Sequence, residues 1–179
     1  CMDAAMGIVR CAQFSQKCSR IVLDQDRFMI EPFMQRLRAE GLYDILVVDA
    51  AEAQRIMRGD ALVVLVDTQR PSSASCPRLL DMADQVAVID HHRRGLEWTE
   101  NPAVSCLEPY ASSTCELVAE LVQYYDSEIR LTPFEADALL SGITMDTKNF
   151  LMDTGVRTFE AATYLRRQGA DMVRVHDLL

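Results

Sequence analysis

Apolar residues along this chain gather in short β-branched runs separated by amphipathic stretches. The runs at 21–23, 45–48, 62–66 and 86–89 are compact and rich in Val and Ile, the pattern of strands buried on both faces. Between them, 27–39, 50–58 and 76–83 have helix-like spacing of apolar positions, and so does 4–18. This alternation predicts an α/β fold with a mostly parallel sheet and helices on both faces. A fifth run at 103–107 leads into a helical second half. Its helix starts are marked by Ser113 with Glu116, and by Thr132 and Pro133 with Glu135. Both are capping boxes, and the second has Pro at the first helical position. These helices should reach about Tyr125 and Thr147, and a last one at about 158–168 is closed by Gly169. No repeat, low-complexity tract or linker interrupts the chain, so 1–179 reads as one domain.

With 179 residues, 49% hydrophobic and 25% charged, the chain can bury an ordinary core. Its net charge of −9 repels a nucleic-acid backbone, which excludes broad docking on DNA or RNA. A phosphate substrate would then need a local positive charge, such as bound metal. No apolar stretch approaches the roughly 18–20 residues needed to span a bilayer, so the expectation is a soluble piece. The six cysteines (Cys1, Cys11, Cys18, Cys76, Cys106, Cys115) form no C-x-x-C pair. They read as reduced, mostly buried thiols of a cytosolic protein, with spacings that disfavour a zinc site.

Four runs end in aspartate: Asp24, Asp49, Asp67 and Asp90. Strand carboxyl ends are where open α/β sheets bind ligands, but Asp is also a helix N-cap. Asp49, with Glu52 three residues on, reads as a cap, and Asp24 as a loop or cap residue. Asp67 is followed by Thr68-Gln69-Arg70-Pro71, where no helix starts. Asp90 is followed at once by His91 and His92. A carboxylate and two imidazoles at the end of a buried strand are costly unless they bind something, and metal is the simplest candidate. Asp146 shares a helix face with Leu139 and Ile143; the alternative is a last turn facing water. Asp3 precedes an amphipathic stretch and could be only a favourable charge near a helix start. Hard oxygen ligands with imidazole suit Mn²⁺ or Mg²⁺. Two such ions sharing a carboxylate would hold a hydroxide and neutralise a phosphoryl group. Spacing alone ends there, at a dinuclear site with phosphoester chemistry.

Val88-Ile89-Asp90-His91-His92-Arg93-Arg94-Gly95 resembles the motif that names the DHH phosphoesterases. Further segments resemble that family's later motifs: Leu65-Val66-Asp67-Thr68-Gln69-Arg70-Pro71, Glu108-Pro109-Tyr110-Ala111-Ser112-Ser113-Thr114 and Gly142-Ile143-Thr144-Met145-Asp146-Thr147. Thr154-Gly155-Val156-Arg157 and Gly169-Ala170-Asp171 continue the likeness. It is nearest to the family's cyclic di-AMP phosphodiesterases, whose parents are membrane-anchored signalling proteins. The resemblance implies a Rossmann-like three-layer catalytic lobe with two Mn²⁺ ions that opens cyclic di-AMP, a second messenger, to pApA by a metal-bridging hydroxide. Asp67 would bridge the metals, while Asp3, His91 and Asp146 would be further ligands. His92 would face the phosphate and Asp90 would orient the histidine pair, so these two form the implied catalytic pair. Arg93, Arg94, Lys148 and Arg157 are the implied substrate contacts; the alternative for each is a surface ion pair. Ser112 and Ser113 read as capping groups, and His176 matches no ligand position.

The sequence departs from the family at its start. Cys1 stands where the family has an Asp, and the family's preceding His would lie upstream. The opening strand and the C-terminal base-binding lobe are absent from the chain as read, so the expectation is at most one tight manganese site and weak turnover. Partners expected are a cyclic dinucleotide and a second copy of the chain, but no duplex nucleic acid. The expected location is the cytoplasm, with the parent at the cytoplasmic face of the cell membrane. Competing readings are a related oligoribonuclease, phosphoadenosine phosphatase, pyrophosphatase or single-strand exonuclease, or an impaired lobe that only binds a nucleotide or partner. The acidic surface counts against the exonuclease.

Overall fold

The computed structural model describes residues 1–23 and 31–179, which carry α1 (Met2–Phe14), β1 (Ile21–Val22), α2 (Glu31–Ala39), α3 (Tyr43–Leu46), β2 (Val47–Val48) and α4 (Ala50–Ile56). Then follow β3 (Leu62–Val66), α5 (Arg78–Met82), β4 (Gln85–Asp90), β5 (Val104–Leu107), α6 (Thr114–Tyr125), α7 (Pro133–Asp146), α8 (Val156–Arg167) and α9 (Met172–Asp177). Asp24 and the expected first turn of the helix at 27–39 lie outside the described residues. The chain folds as two compact units, Cys1–Ser19 with Tyr110–Leu179, and Arg20–Pro109. Nothing in the composition marks a linker between them.

The sheet unit, Arg20–Pro109, is α/β with parallel strands. β1 pairs with β2, and β3, β4 and β5 form a three-stranded sheet in that order. In register, Val66 lies opposite Ile89, and Asp90 opposite Leu107. This brings the carboxyl ends of β3 and β4 side by side. Helices α4 and α5 cover the strands through Ala53, Leu79 and Cys76, against which Val22, Val48 and Val63 pack. The apolar run 45–48 forms a strand only at Val47 and Val48; Tyr43–Leu46 is one helical turn instead. Its Ile45 is 55% exposed, so the run is not buried on both faces as a full strand would require.

The helical unit is built around α7, whose residues from Phe134 to Thr144 are all buried. A helix covered on all sides needs an apolar or internally satisfied surface all round, and α1, α6, α8 and α9 supply the cover. Leu139 and Ile143 are fully buried, along with Met6, Val118 and Leu165. Two buried acids on α7 are closed by partners: Glu135 takes a two-point ion pair from Arg10 (2.9 and 2.8 Å), and Asp137 one from Arg174 (2.6 and 3.1 Å). The Thr132–Glu135 capping box is complete. The other is only half formed. Ser113 Oγ accepts from the Glu116 amide (3.0 Å), but the Glu116 carboxylate turns to Ser112 and to Thr158 Oγ1 (2.7 Å). Helix α9, absent from the sequence reading, is capped by Asp171, whose side chain accepts from the Val173 and Arg174 amides.

Candidate metal centre

The first group lies in the sheet unit, where β3 and β4 end together. The Asp67 amide extends the ladder by donating to Ile89 O (2.9 Å). Its φ of 65° then turns the chain through the left-handed region, a conformation that costs an L-residue about 1–2 kcal/mol. The strain holds the carboxylate beside His91, whose Nε2 is 3.7 Å from Asp67 Oδ1. Asp90, the last residue of β4, is fully buried. Its Oδ1 accepts from the His92 amide (3.1 Å) and pairs with His92 Nδ1 (2.6 Å). That bond commits Nδ1 and leaves His92 Nε2 as the ring atom available to a ligand. The two imidazoles meet edge to face at 4.5 Å. Asp67, His91 and His92 can present one donor atom each, all within 4.8 Å of one another. One carboxylate with two imidazoles is a donor set that fits a hard or borderline divalent cation.

Behind this group sits a residue that sequence reading missed. Gln69 is 4% exposed. Its Nε2 donates to Asp90 Oδ2 (3.3 Å) and to His92 O (3.2 Å), so one amide braces both the carboxylate and the histidine backbone. Its own carbonyl is held by Thr99 through N (2.7 Å) and Oγ1 (3.0 Å), while its Oε1 is buried with no partner among the described residues. The available signal was its place two residues after Asp67. A cleft of about 300 Å³ lies alongside, lined by Gln69, Trp98, Thr99, Asn101 and Ser105, with Arg94 stacked on Trp98 at 4.5 Å.

The second group lies in the helical unit. Cys1, Asp3 and Cys115 can likewise present donor atoms within 4.8 Å of one another. Asp3 is in the first turn of α1, and Ser141 Oγ on α7, which donates to Ala138 O (2.7 Å), lies 3.5 Å from its Oδ1. Asp146 is exposed at the end of α7, one turn beyond buried Ile143. After it, Lys148, Asn149 and Phe150 all have positive φ (49°, 60° and 62°). Thr147 holds this left-handed turn, with its Oγ1 accepting from the Phe150 amide (3.0 Å).

Of the expected basic contacts, Arg157 is engaged in a two-point ion pair with Glu120 (2.8 and 2.6 Å). Arg93 and Lys148 are exposed. Ser112 and Ser113 serve the Glu116 network, and Asp49 caps α4 by accepting from the Glu52 amide (2.8 Å). His176 lies exposed on α9.

A parallel sheet ending in Asp67 and in Asp90-His91-His92 defines a class, and comparison with known proteins identifies it. The chain belongs to the DHH family, whose N-terminal domain matches residues 1–143. It is 43% identical over 180 residues to the cyclic-di-AMP phosphodiesterase GdpP of Geobacillus thermodenitrificans and 44% identical over 182 residues to that of Bacillus subtilis. Each alignment covers 99% of this chain and 27% of the relative, so the chain spans about a quarter of the length of these relatives. A probable manganese-dependent inorganic pyrophosphatase of Thermotoga maritima is 36% identical over 92 residues, 51% of this chain and 16% of that protein. The fold matches an exopolyphosphatase-related protein of Bacteroides fragilis at a TM-score of 0.72 and 18% identity, covering 97% of this chain and 50% of that one.

Proposed function

We propose that this chain is the metal-holding lobe of a phosphodiesterase that hydrolyses cyclic di-AMP to pApA. The observation that carries the reading is the Asp67, His91 and His92 group at the ends of β3 and β4, within a chain so similar to two cyclic-di-AMP phosphodiesterases. Asp67 and His91 of the sheet unit are proposed manganese ligands, as is Asp146 of the helical unit. Bound divalent cations would neutralise phosphate charge and supply the attacking oxygen. His92 presents Nε2 to the phosphate and can hand a proton to the departing ribose oxygen. Asp90 fixes that ring through Nδ1, which aims Nε2 at the leaving oxygen. Arg93, Arg94 and Lys148 are proposed phosphate contacts, whereas Arg157 would first have to leave Glu120. The reading extends to a parent anchored at the cytoplasmic face of the membrane and to a second copy of the chain as partner. Among the described residues no helix is long and apolar enough to cross a membrane.

The test is incubation of the protein with Mn²⁺ and, in parallel, cyclic di-AMP, pApA, short RNA and pyrophosphate, with products resolved by chromatography. Conversion of cyclic di-AMP to pApA, abolished by chelator and restored by Mn²⁺, is expected. Preferential cleavage of pyrophosphate or RNA would overturn the substrate. A folded, manganese-loaded protein that cleaves none of the four would support the second reading, a nucleotide-binding lobe, which Cys1 in place of the family's Asp favours.

A further inference from the structure

In the helical unit, two cysteines separated by 114 positions in sequence come together. Cys1 Sγ and Cys115 Sγ lie 3.7 Å apart, and Cys1 Sγ donates to Asp3 Oδ2 at 3.1 Å. Linear spacing argued against a zinc site because it registers only ligands close in sequence; here the fold supplies the proximity. Two sulfurs bound at ~2.3 Å to one tetrahedral zinc stand ~3.8 Å apart, so the observed separation needs almost no rearrangement. The surroundings are shaped to hold the inner thiol. Cys115 is 1% exposed, and a Cβ placed on Gly142 of α7 would fall 2.3 Å from its Sγ. Only glycine at 142 leaves the sulfur where it is. Cys1 is the N-cap of α1 and Cys115 is in the first turn of α6, so the positive ends of two helices favour anionic donors here.

We infer that Cys1, Asp3 and Cys115 form a site for a thiophilic divalent cation, of the class of Zn²⁺, Cd²⁺ or Co²⁺, with the fourth position open to water or an anionic ligand. Soft thiolates select such metals over Mn²⁺ and Mg²⁺. The site therefore differs in kind from the carboxylate and imidazole group of the sheet unit, and it does not depend on the substrate proposed above. Cys11, in the same unit, does not compete. It is buried, and burial pushes its thiol up to about 11, which keeps it protonated.

The experiment uses the metal-free protein in a thiol-free reductant, titrated with Cd²⁺ and separately with Co²⁺. One equivalent of metal should bring up the sulfur-to-metal charge-transfer band. That band should be lost in Cys1→Ala and in Cys115→Ala and kept in Cys18→Ser, with circular dichroism showing that each variant is folded. Zn²⁺ should protect Cys1 and Cys115 from alkylation, and excess Mn²⁺ should not. The inference is overturned if no charge-transfer band appears, if the band survives both alanine variants, or if Mn²⁺ protects as well as Zn²⁺. Because the signal comes from sulfur and not from turnover, it is unaffected if cyclic di-AMP proves not to be the substrate.

Discussion

The helical and sheet units treat buried acid groups in opposite ways. On α7, Glu135 and Asp137 are almost fully buried, and each is closed by an arginine in two-point contact. Every strong acceptor is filled from within, as a structural carboxylate requires. In the sheet unit, Asp90 is buried just as deeply, but its partners are the imidazole and backbone amide of His92 and the side-chain amide of Gln69, whose Oε1 is buried with no partner among the described residues. Asp67 beside it sits on a left-handed backbone. Closed acids serve stability, whereas an unfilled amide oxygen and backbone strain at a strand end are the features on which the proposed binding role of the sheet group rests.

Substitutions should separate the two kinds of acid. The largest effect is expected from Asp137→Ala, which removes the buried acceptor of the Arg174 guanidinium and of the Asp171 amide. Hydrogen bonds to a charged group contribute about 1.5–3 kcal/mol each, and because Arg174 is 38% exposed and can turn to water the loss should be about 2–3 kcal/mol, to be read from urea unfolding. Asp90→Asn keeps the shape but weakens the hold on His92, and should lower turnover of cyclic di-AMP by about 10–100-fold, as loss of an orienting partner does. A turnover assay checks this, and unchanged turnover with a fall in stability like that of Asp137→Ala would erase the distinction.

A smaller effect tests the close approach of α6 and α7. Gly142→Ala overpacks the Cys115 thiol and should cost about 1–3 kcal/mol. Most of that should return in the double variant with Cys115→Ala, since the clash is with one sulfur. Asp67→Gly should do the reverse of a structural lesion, raising stability by roughly 1 kcal/mol by relieving the left-handed backbone while abolishing manganese binding at the sheet group. The smallest effect is a pH dependence. Hydrogen bonds from the Arg174 and Val173 amides hold the Asp171 carboxyl below its ordinary value. Its contribution is therefore complete above the ordinary carboxylate range and is lost as the pH falls through the lowered value. Asp171→Asn, which still caps α9, should flatten that part of the acid limb in a melting curve.

Local signals were readable wherever a short segment carried the whole cause. The β-branched run at 62–66 is β3 residue for residue, and Thr132, Pro133 and Glu135 mark the start of α7 because a capping box is made within one turn. The run at 45–48 misled, since hydrophobicity alone does not say which side chains stay dry and Ile45 does not. Asp171 before α9 was a cap signal left unread. Of the four residues expected to be costly to bury, Asp90 alone is buried, while Asp67 and His91 are half-buried and His92 is exposed, because the chain leaves the sheet directly after β4.

What the order of amino acids determined by itself was therefore the alternation of strand and helix, the helix caps and the motif at the end of β4, all set by interactions within a few residues. Tertiary structure alone decided which distant groups share a space. It braced Asp90 with Gln69, drew Arg157 into an ion pair with Glu120, and set Cys115 against Cys1 in the room left by Gly142. Such contacts depend on the packing of whole helices and the register of whole strands, which no local window of sequence contains.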